Sequence, residues 1–108
     1  METPTITIKT QAFNNIKSGT KKIEGRLYRD IFTKIKIGDT IIFHDKLNDE
    51  KLSKIIKKLV IFDSFEMFLN SYPLENILPS KKNIEEGIKH YNEIYKNVNK
   101  KILSIELL

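Results

Sequence analysis

A chain of 108 residues is of single-domain length and can bury a real core without disulfide staples, so residues 1–108 are expected to form a single domain. It holds no cysteine, which excludes disulfide partners and thiolate metal sites and fits a reducing, cytoplasmic setting; residues 1–12 lack the apolar core of a signal peptide, and no apolar run nears the ~20 residues of a membrane span. The 19 Lys and Arg against 14 Asp and Glu leave a net charge of +5, which favours an anionic partner, nucleic acid first, although all but Arg26 and Arg29 are lysine, a bias AT-rich coding also produces.

In chain order, the first element is TITIKT, Thr5 to Thr10, whose alternation sets Ile6 and Ile8 on one face of a strand. QAFNNIKSG then reads as a short helix. Thr10 is placed to cap it, Phe13 and Ile16 lie three apart, and Gly19 suits the left-handed position beyond its end. KIEGRLY alternates again: Ile23, Gly25 and Leu27 face one way, Lys22, Glu24, Arg26 and Tyr28 the other. RDIFTKIKIGD reads as a turn of helix and a tight turn at Gly38-Asp39, and TIIFH as a strand. KLSKIIKKLVIF fits two patterns. Leu52, Ile55, Ile56 and Leu59 make a helical face, while Lys54 to Phe62 equally suits a strand.

Asp63 with Glu66 three residues on makes a capping box, and Phe62 is placed to staple onto Met67. The helix expected there, about Ser64 to Ser71, buries Phe65, Phe68 and Leu69, and its start favours a strand just before it. Pro73 and Pro79 bracket a short loop. Asn83 caps the strongest helix, on which Ile84, Ile88, Tyr91, Tyr95 and Val98 form one apolar stripe. ILSIELL closes the chain as a strand. Most connections are too short for parallel crossovers, so an α+β fold around a mixed or barrel-like sheet is expected.

The stretch FNNIKSGTKKIEGRLY followed by IKIGDTIIF resembles the ASCH domain, within the PUA-like superfamily. The family's helix ending in glycine, its lysine, glutamate and arginine, and its later Gly-Asp before a strand fall on Gly19, Lys21, Glu24, Arg26, Gly38 and Asp39. The segments FDSFEMFLN, LPSKKNIEEGIKHYNEIY and ILSIELL are also similar, through Pro79, Asn83, Glu85, Glu86, Tyr91 and Tyr95. The likeness runs from about Ile6 to Leu107. It implies a small PUA-like β-barrel of about five to six strands with helices packed over one opening, and a strand for Lys54 to Phe62. It also implies a cleft between barrel and helices that in related domains is associated with RNA or modified nucleosides. Some members hydrolyse acylated cytidine with a threonine nucleophile beside the lysine. Glu24 stands in that place here, so that mechanism does not carry over directly, and the doublet Lys21-Lys22 leaves the family lysine open by one position.

These readings nominate Lys21, Lys22, Glu24, Arg26, Tyr28, Tyr91 and Tyr95 as ligand-binding residues. Arg26 offers a planar fork to a phosphate or base edge, and Glu24 accepts from an amine or ring N–H. Tyr28 offers a stacking face, and a tyrosine on the helical stripe carries a hydroxyl that wants a partner. The alternative for the charged pair is a solvated ion pair of little energetic value. The lysine doublets Lys81-Lys82 and Lys100-Lys101 are read as solvated faces. His44 and His90 lack metal-ligand spacing, and no Gly-rich phosphate loop is present, so no metal or cofactor is expected. Two functions follow: binding of RNA, a nucleotide or a nucleoside, or a small nucleic-acid-processing enzyme. The latter is an amidohydrolase on acylated cytidine or a ribonuclease, with Lys21 and Glu24 as its catalytic pair.

Overall fold

Alternating β-branched and apolar residues lay down five strands, and the two longest helical patterns lay down the helices that flank them. The computed structural model describes residues 3–96 and 100–108. Strand β1 (Thr5–Ile8) leads into helix α1 (Thr10–Lys17), and β2 (Ile23–Leu27) precedes a 3-10 turn (Asp30–Thr33). Then come β3 (Thr40–Asp45), β4 (Lys51–Phe62), α2 (Phe65–Asn70), α3 (Leu74–Ile77), α4 (Ile84–Ile94) and β5 (Ile102–Leu107). The sheet order is β1-β3-β4-β5-β2, with β1 parallel to β3 and every other pair antiparallel.

The long strand β4 makes the sheet curl. Its first half pairs with β3, from His44 opposite Lys51 to Thr40 opposite Ile55. Its second half pairs with β5, from Ile56 opposite Leu107 to Phe62 opposite Ile102, with an irregularity between Ile56 and Lys58. A bulge at that switch bends the strand and increases its twist. The result is a five-stranded half-barrel, an α+β architecture that accords with the PUA-like expectation. The edges of the sheet are β1 and β2, and α1 is the segment that joins them in the chain.

Two cores lie on the two faces. Ile6, Phe13, Ile16, Ile41, Phe43, Ile56, Leu103 and Ile105 fill the curl, with α1 plugging it. Ile23, Leu27, Phe68, Leu69, Ile77, Tyr91 and Ile102 form the second, where α2, α3 and α4 cover β2 and β5. Strand β5 is buried on both faces over most of its length: Leu103, Ile105 and Leu107 face the curl, while Ile102 and Ser104 lie under the helices, where the Ser104 hydroxyl donates to Tyr72.

The KLSKIIKKLVIF stretch is a strand throughout. Ile56, with Leu52 and Leu59 beside it, packs on the first core, while Lys51, Lys57 and Lys58 are exposed. Other local details differ from the sequence reading. Thr10 does not cap α1; its hydroxyl donates to Asp45 Oδ1 at 2.7 Å, tying the helix to the β3–β4 hairpin. Asp45 also accepts from the Leu47 and Asn48 backbone and from the Asn48 amide, and these bonds, Thr10's foremost, lower its pKa against the opposing effect of burial. The cap of α2 is Ser64, one residue later than Asp63, and Asp63 instead pairs with Lys101 at the surface. Phe62 packs on Phe68 with ring centroids 5.8 Å apart, and Met67 faces solvent, so the expected staple does not form. The stretch between Pro73 and Pro79 is not a bare loop but holds the single-turn helix α3. Asn83 caps α4 as expected, accepting from the Glu86 N–H at 2.9 Å. Val98 of the expected stripe lies outside the described residues.

Gly25 carries a packing constraint. A Cβ there would sit 2.5 Å and 2.8 Å from two ring carbons of Phe68 and 3.2 Å from the Tyr91 hydroxyl. Phe68 is fully buried and has nowhere to move. Gly25→Ala is expected to lose about 1–3 kcal/mol by overpacking, read as a lowered urea midpoint at unchanged slope.

Candidate functional site

The chain between α1 and β2 decides which lysine goes inward. Gly19, at φ +85°, ends α1, and the Lys21 N–H donates to the Asn15 carbonyl at 2.9 Å. The Lys22 N–H then donates to the Asn76 carbonyl of α3 at 2.8 Å. Lys21 thereby enters the fold and is 5% exposed, while Lys22 stays in solvent.

A buried ammonium needs partners for three N–H donors. Lys21 Nζ donates to the Ile23 carbonyl at 3.0 Å and to the Ile77 carbonyl at the end of α3, and stands 3.4 Å from Glu24 Oε1. The cation is thus committed to the protein, where it fixes a carboxylate that is itself only 6% exposed. Glu24 Oε1 also accepts a long 3.2 Å bond from the Gly25 N–H. Among the described residues no donor is bonded to Oε2.

These groups form the floor of a cleft of about 640 Å³, within the range typical of small-molecule sites. One wall is the end of β1 and the exposed side of α1, from Thr7 to Asn15. The opposite wall is Leu78 to Lys81 together with His90, Tyr91 and Ile94 of α4, and Tyr95 beyond it. Arg26 lies two residues beyond Glu24 on the floor strand. Its guanidinium stands 5.6 Å from the Phe32 ring centroid and makes no ion pair among the described residues. Lysines 9, 46 and 81 stand on the rim, so five cations line the cleft (Lys9, Lys21, Arg26, Lys46, Lys81) against the carboxylates Glu24 and Glu93.

Tyr91 reaches the floor strand where Gly25 has no side chain. Its ring stacks on Phe65 with centroids 4.2 Å apart, and Phe65 stacks in turn on Tyr95. The Tyr91 hydroxyl is buried and finds no hydrogen-bond partner among the described residues. Burial raises its pKa well above 10, with the Glu24 charge adding to the effect. At neutral pH it is a protonated donor without an acceptor. Tyr95 shifts upward for the same principal reason, more mildly.

Of the nominated residues, Lys21, Glu24, Arg26, Tyr91 and Tyr95 converge on this cleft. Lys22 and Tyr28 do not line it: Lys22 is exposed, and Tyr28 packs against the core inside the curl. His90 lines the cleft although no spacing in the sequence marks it, and Lys9 and Lys46 join it only because β1 and β3 are parallel neighbours.

The sequence pattern of the ASCH domain matches residues 6–106. The chain belongs to the ASCH family. Two solved structures resemble it over nearly their whole length. The crystal structure of hypothetical protein PH0355 is 34% identical, with a TM-score of 0.86, and the match covers 98% of this chain and 97% of that one. The solution structure of protein PF0455 from Pyrococcus furiosus is also 34% identical, with a TM-score of 0.78 over 98% of this chain and 96% of that one. An ASCH protein from Zymomonas mobilis shares the fold at 14% identity and a TM-score of 0.70, over 96% of this chain and 65% of that one. No curated protein matches. Within this ASCH domain the cleft floor is the strand bearing the Lys21, Glu24 and Arg26 pattern, and no described helix is long and apolar enough to cross a membrane.

His90 makes the cleft wall pH-sensitive. Burial lowers its pKa from 6.5, helped by Lys81, Lys21 and Lys9 and opposed by Glu24. The folded protein therefore resists a proton that the unfolded chain accepts near pH 6.5, and stability falls as pH drops through that value until the folded form is also protonated. Urea midpoints measured from about pH 7.5 down to pH 5 are expected to fall less in His90→Gln than in the parent. Parallel curves for the two proteins contradict this account.

Proposed function

We propose that the cleft binds single-stranded RNA or a nucleotide, with the ring system on the floor and phosphate at the lysine rim. The observation that carries this reading is the buried Tyr91 hydroxyl and the Arg26 guanidinium, both without a partner among the described residues, in one cleft with an anchored carboxylate. A buried donor left without an acceptor costs free energy, and a ligand acceptor recovers it. The excess of lysine at the mouth supplies the attraction that a polyanion needs, and the half-buried ring of Tyr95 suits a planar base. Family membership accords with an interaction of this kind.

Each phosphate held by a lysine contributes a slope of about −0.7 to the dependence of log K on log salt for single strands. Lys9, Lys46 and Lys81 together are therefore expected to give a slope near about −2 with a short single-stranded RNA. Replacing all three with alanine should flatten that slope and weaken binding, as followed by fluorescence anisotropy at several salt concentrations. A parent protein that binds no RNA or nucleotide at low salt ends this reading.

A second reading, hydrolysis of RNA or of a modified nucleoside in the same cleft, is favoured by one observation. His90 is neutral at pH 7 and lines the cleft, which suits a general base. Lys21 suits that role poorly because its donors are committed to carbonyls and to Glu24. If this reading holds, incubation with RNA or acylated cytidine yields turnover that His90→Gln reduces by about 100-fold or more. Turnover that survives that substitution removes His90 from the chemistry.

A further inference from the structure

Three groups on or over the floor strand are unspent. Glu24 is held by Lys21 at one oxygen, and its contacts there, 3.2 Å and 3.4 Å, are long. Arg26 has its guanidinium fork in the cleft with an aromatic ring beneath it and no carboxylate partner among the described residues. Tyr91 has a buried hydroxyl with no acceptor among the described residues. The ensemble is a pair of acceptor atoms, a fork of donors and one further donor. All three line the same cleft: Glu24 and Arg26 flank Gly25 on the strand, and Tyr91 reaches Gly25 from α4 on the strand's other face.

We propose that this floor reads guanine, either in a free guanine nucleotide or as a guanosine within single-stranded RNA. The inference rests on the nucleotide reading above and deepens it. A carboxylate is acceptor-only, and its two oxygens lie side by side. Guanine alone among the four bases has two adjacent N–H donors on one edge, N1–H and the N2 amino group. On the neighbouring edge it carries two adjacent acceptors, O6 and N7, which match an arginine fork. Glu24 takes the first edge, Arg26 the second, and the Tyr91 hydroxyl donates to O6. Adenine and cytosine set an amino donor beside a ring-nitrogen acceptor, so the second carboxylate oxygen meets a lone pair. Uracil offers one N–H between two carbonyl oxygens, which repel both carboxylate oxygens.

The same carboxylate orients the ligand. A phosphate placed on the floor meets the Glu24 charge, whereas Lys9, Lys46 and Lys81 offer cations at the mouth that make no ion pair among the described residues. The base therefore enters first and the phosphate stays at the rim. Lys21 acts through Glu24, as a positioning residue that holds the carboxylate flat on the floor.

The test is competition binding at fixed salt with GMP, IMP, AMP, CMP, UMP and inorganic phosphate, alongside uridine pentamers with and without one central guanosine. GMP, the guanosine-bearing pentamer or both are expected to bind at least about tenfold more tightly than their counterparts. Selectivity in the pentamers alone identifies the source as an RNA chain, and selectivity in GMP alone identifies it as a free nucleotide. IMP, which lacks the N2 amino group, should fall between GMP and AMP. Glu24→Gln turns one acceptor into a donor and keeps an oxygen for Lys21; it should abolish the guanine preference and move it toward adenine. Tyr91→Phe should weaken guanine binding several-fold while leaving the unfolding midpoint unchanged or higher, because the hydroxyl it removes has no partner to lose. Equal affinity for all four bases, preference for another base, or phosphate competing as well as GMP overturns guanine reading and leaves RNA binding standing. Absence of binding by every ligand overturns both.

Discussion

A lysine ammonium taken out of water has to be given three acceptors, and this domain is arranged around the way it does so. Lys21 draws on the start of β2 through the Ile23 carbonyl, on the end of α3 through the Ile77 carbonyl, and on Glu24. It therefore joins the barrel edge to the helical layer at one point. The N–H of Lys22 adds a second tie to α3 through Asn76. An isolated buried charge is expensive, and a pair is tolerated only when the remaining valences are filled. Here the carbonyl partners fill those of the lysine, and the carboxylate is the member left with capacity toward the cleft.

The second constraint is the missing side chain at Gly25. Strand β2 is an edge strand whose one face must pack under α2 and α4 and whose other face carries Glu24 and Arg26. With glycine between those two residues, Phe68 and Tyr91 come close enough to the strand for a helix-borne hydroxyl to join groups on a strand. The stack of Tyr91, Phe65 and Tyr95 holds that hydroxyl in place without a hydrogen bond. Under the binding function proposed above, a donor left unmet in the free state trades some stability for ligand affinity, as happens where polar groups are kept for function.

Much of this was legible from local pattern. Ile6 and Ile8, Phe13 and Ile16, and Ile84, Ile88 and Tyr91 announce their elements because period two and period 3.6 are properties of a few successive residues. Asn83 announces its cap for the same reason. The misreadings occurred where a distant group competed with a neighbour. Thr10 bonds Asp45 rather than capping α1, and Ser64 rather than Asp63 caps α2, with Asp63 paired to Lys101 at the surface. KLSKIIKKLVIF was ambiguous on its own because its apolar spacing serves both periods. Pairing decides it: the first half is hydrogen-bonded to β3 and the second half to β5, so every part of the stretch has a strand partner.

The sequence by itself determined the ASCH pattern, the α+β class, and the alternation that sets Glu24 and Arg26 on one face of β2. It could not choose between Lys21 and Lys22, because strand alternation favours Lys22 and only the turn after Gly19, bonded to Asn15, carries Lys21 inward. Nor could it add His90, Lys9 and Lys46 to the cleft or remove Tyr28 from it. Those assignments depend on a parallel β1–β3 pair, a switch of partners halfway along β4 and a helix lying across a glycine. Each is a contact between segments far apart in the chain, and burial, charge and hydrogen-bond vacancy are properties of such contacts rather than of any short stretch of residues.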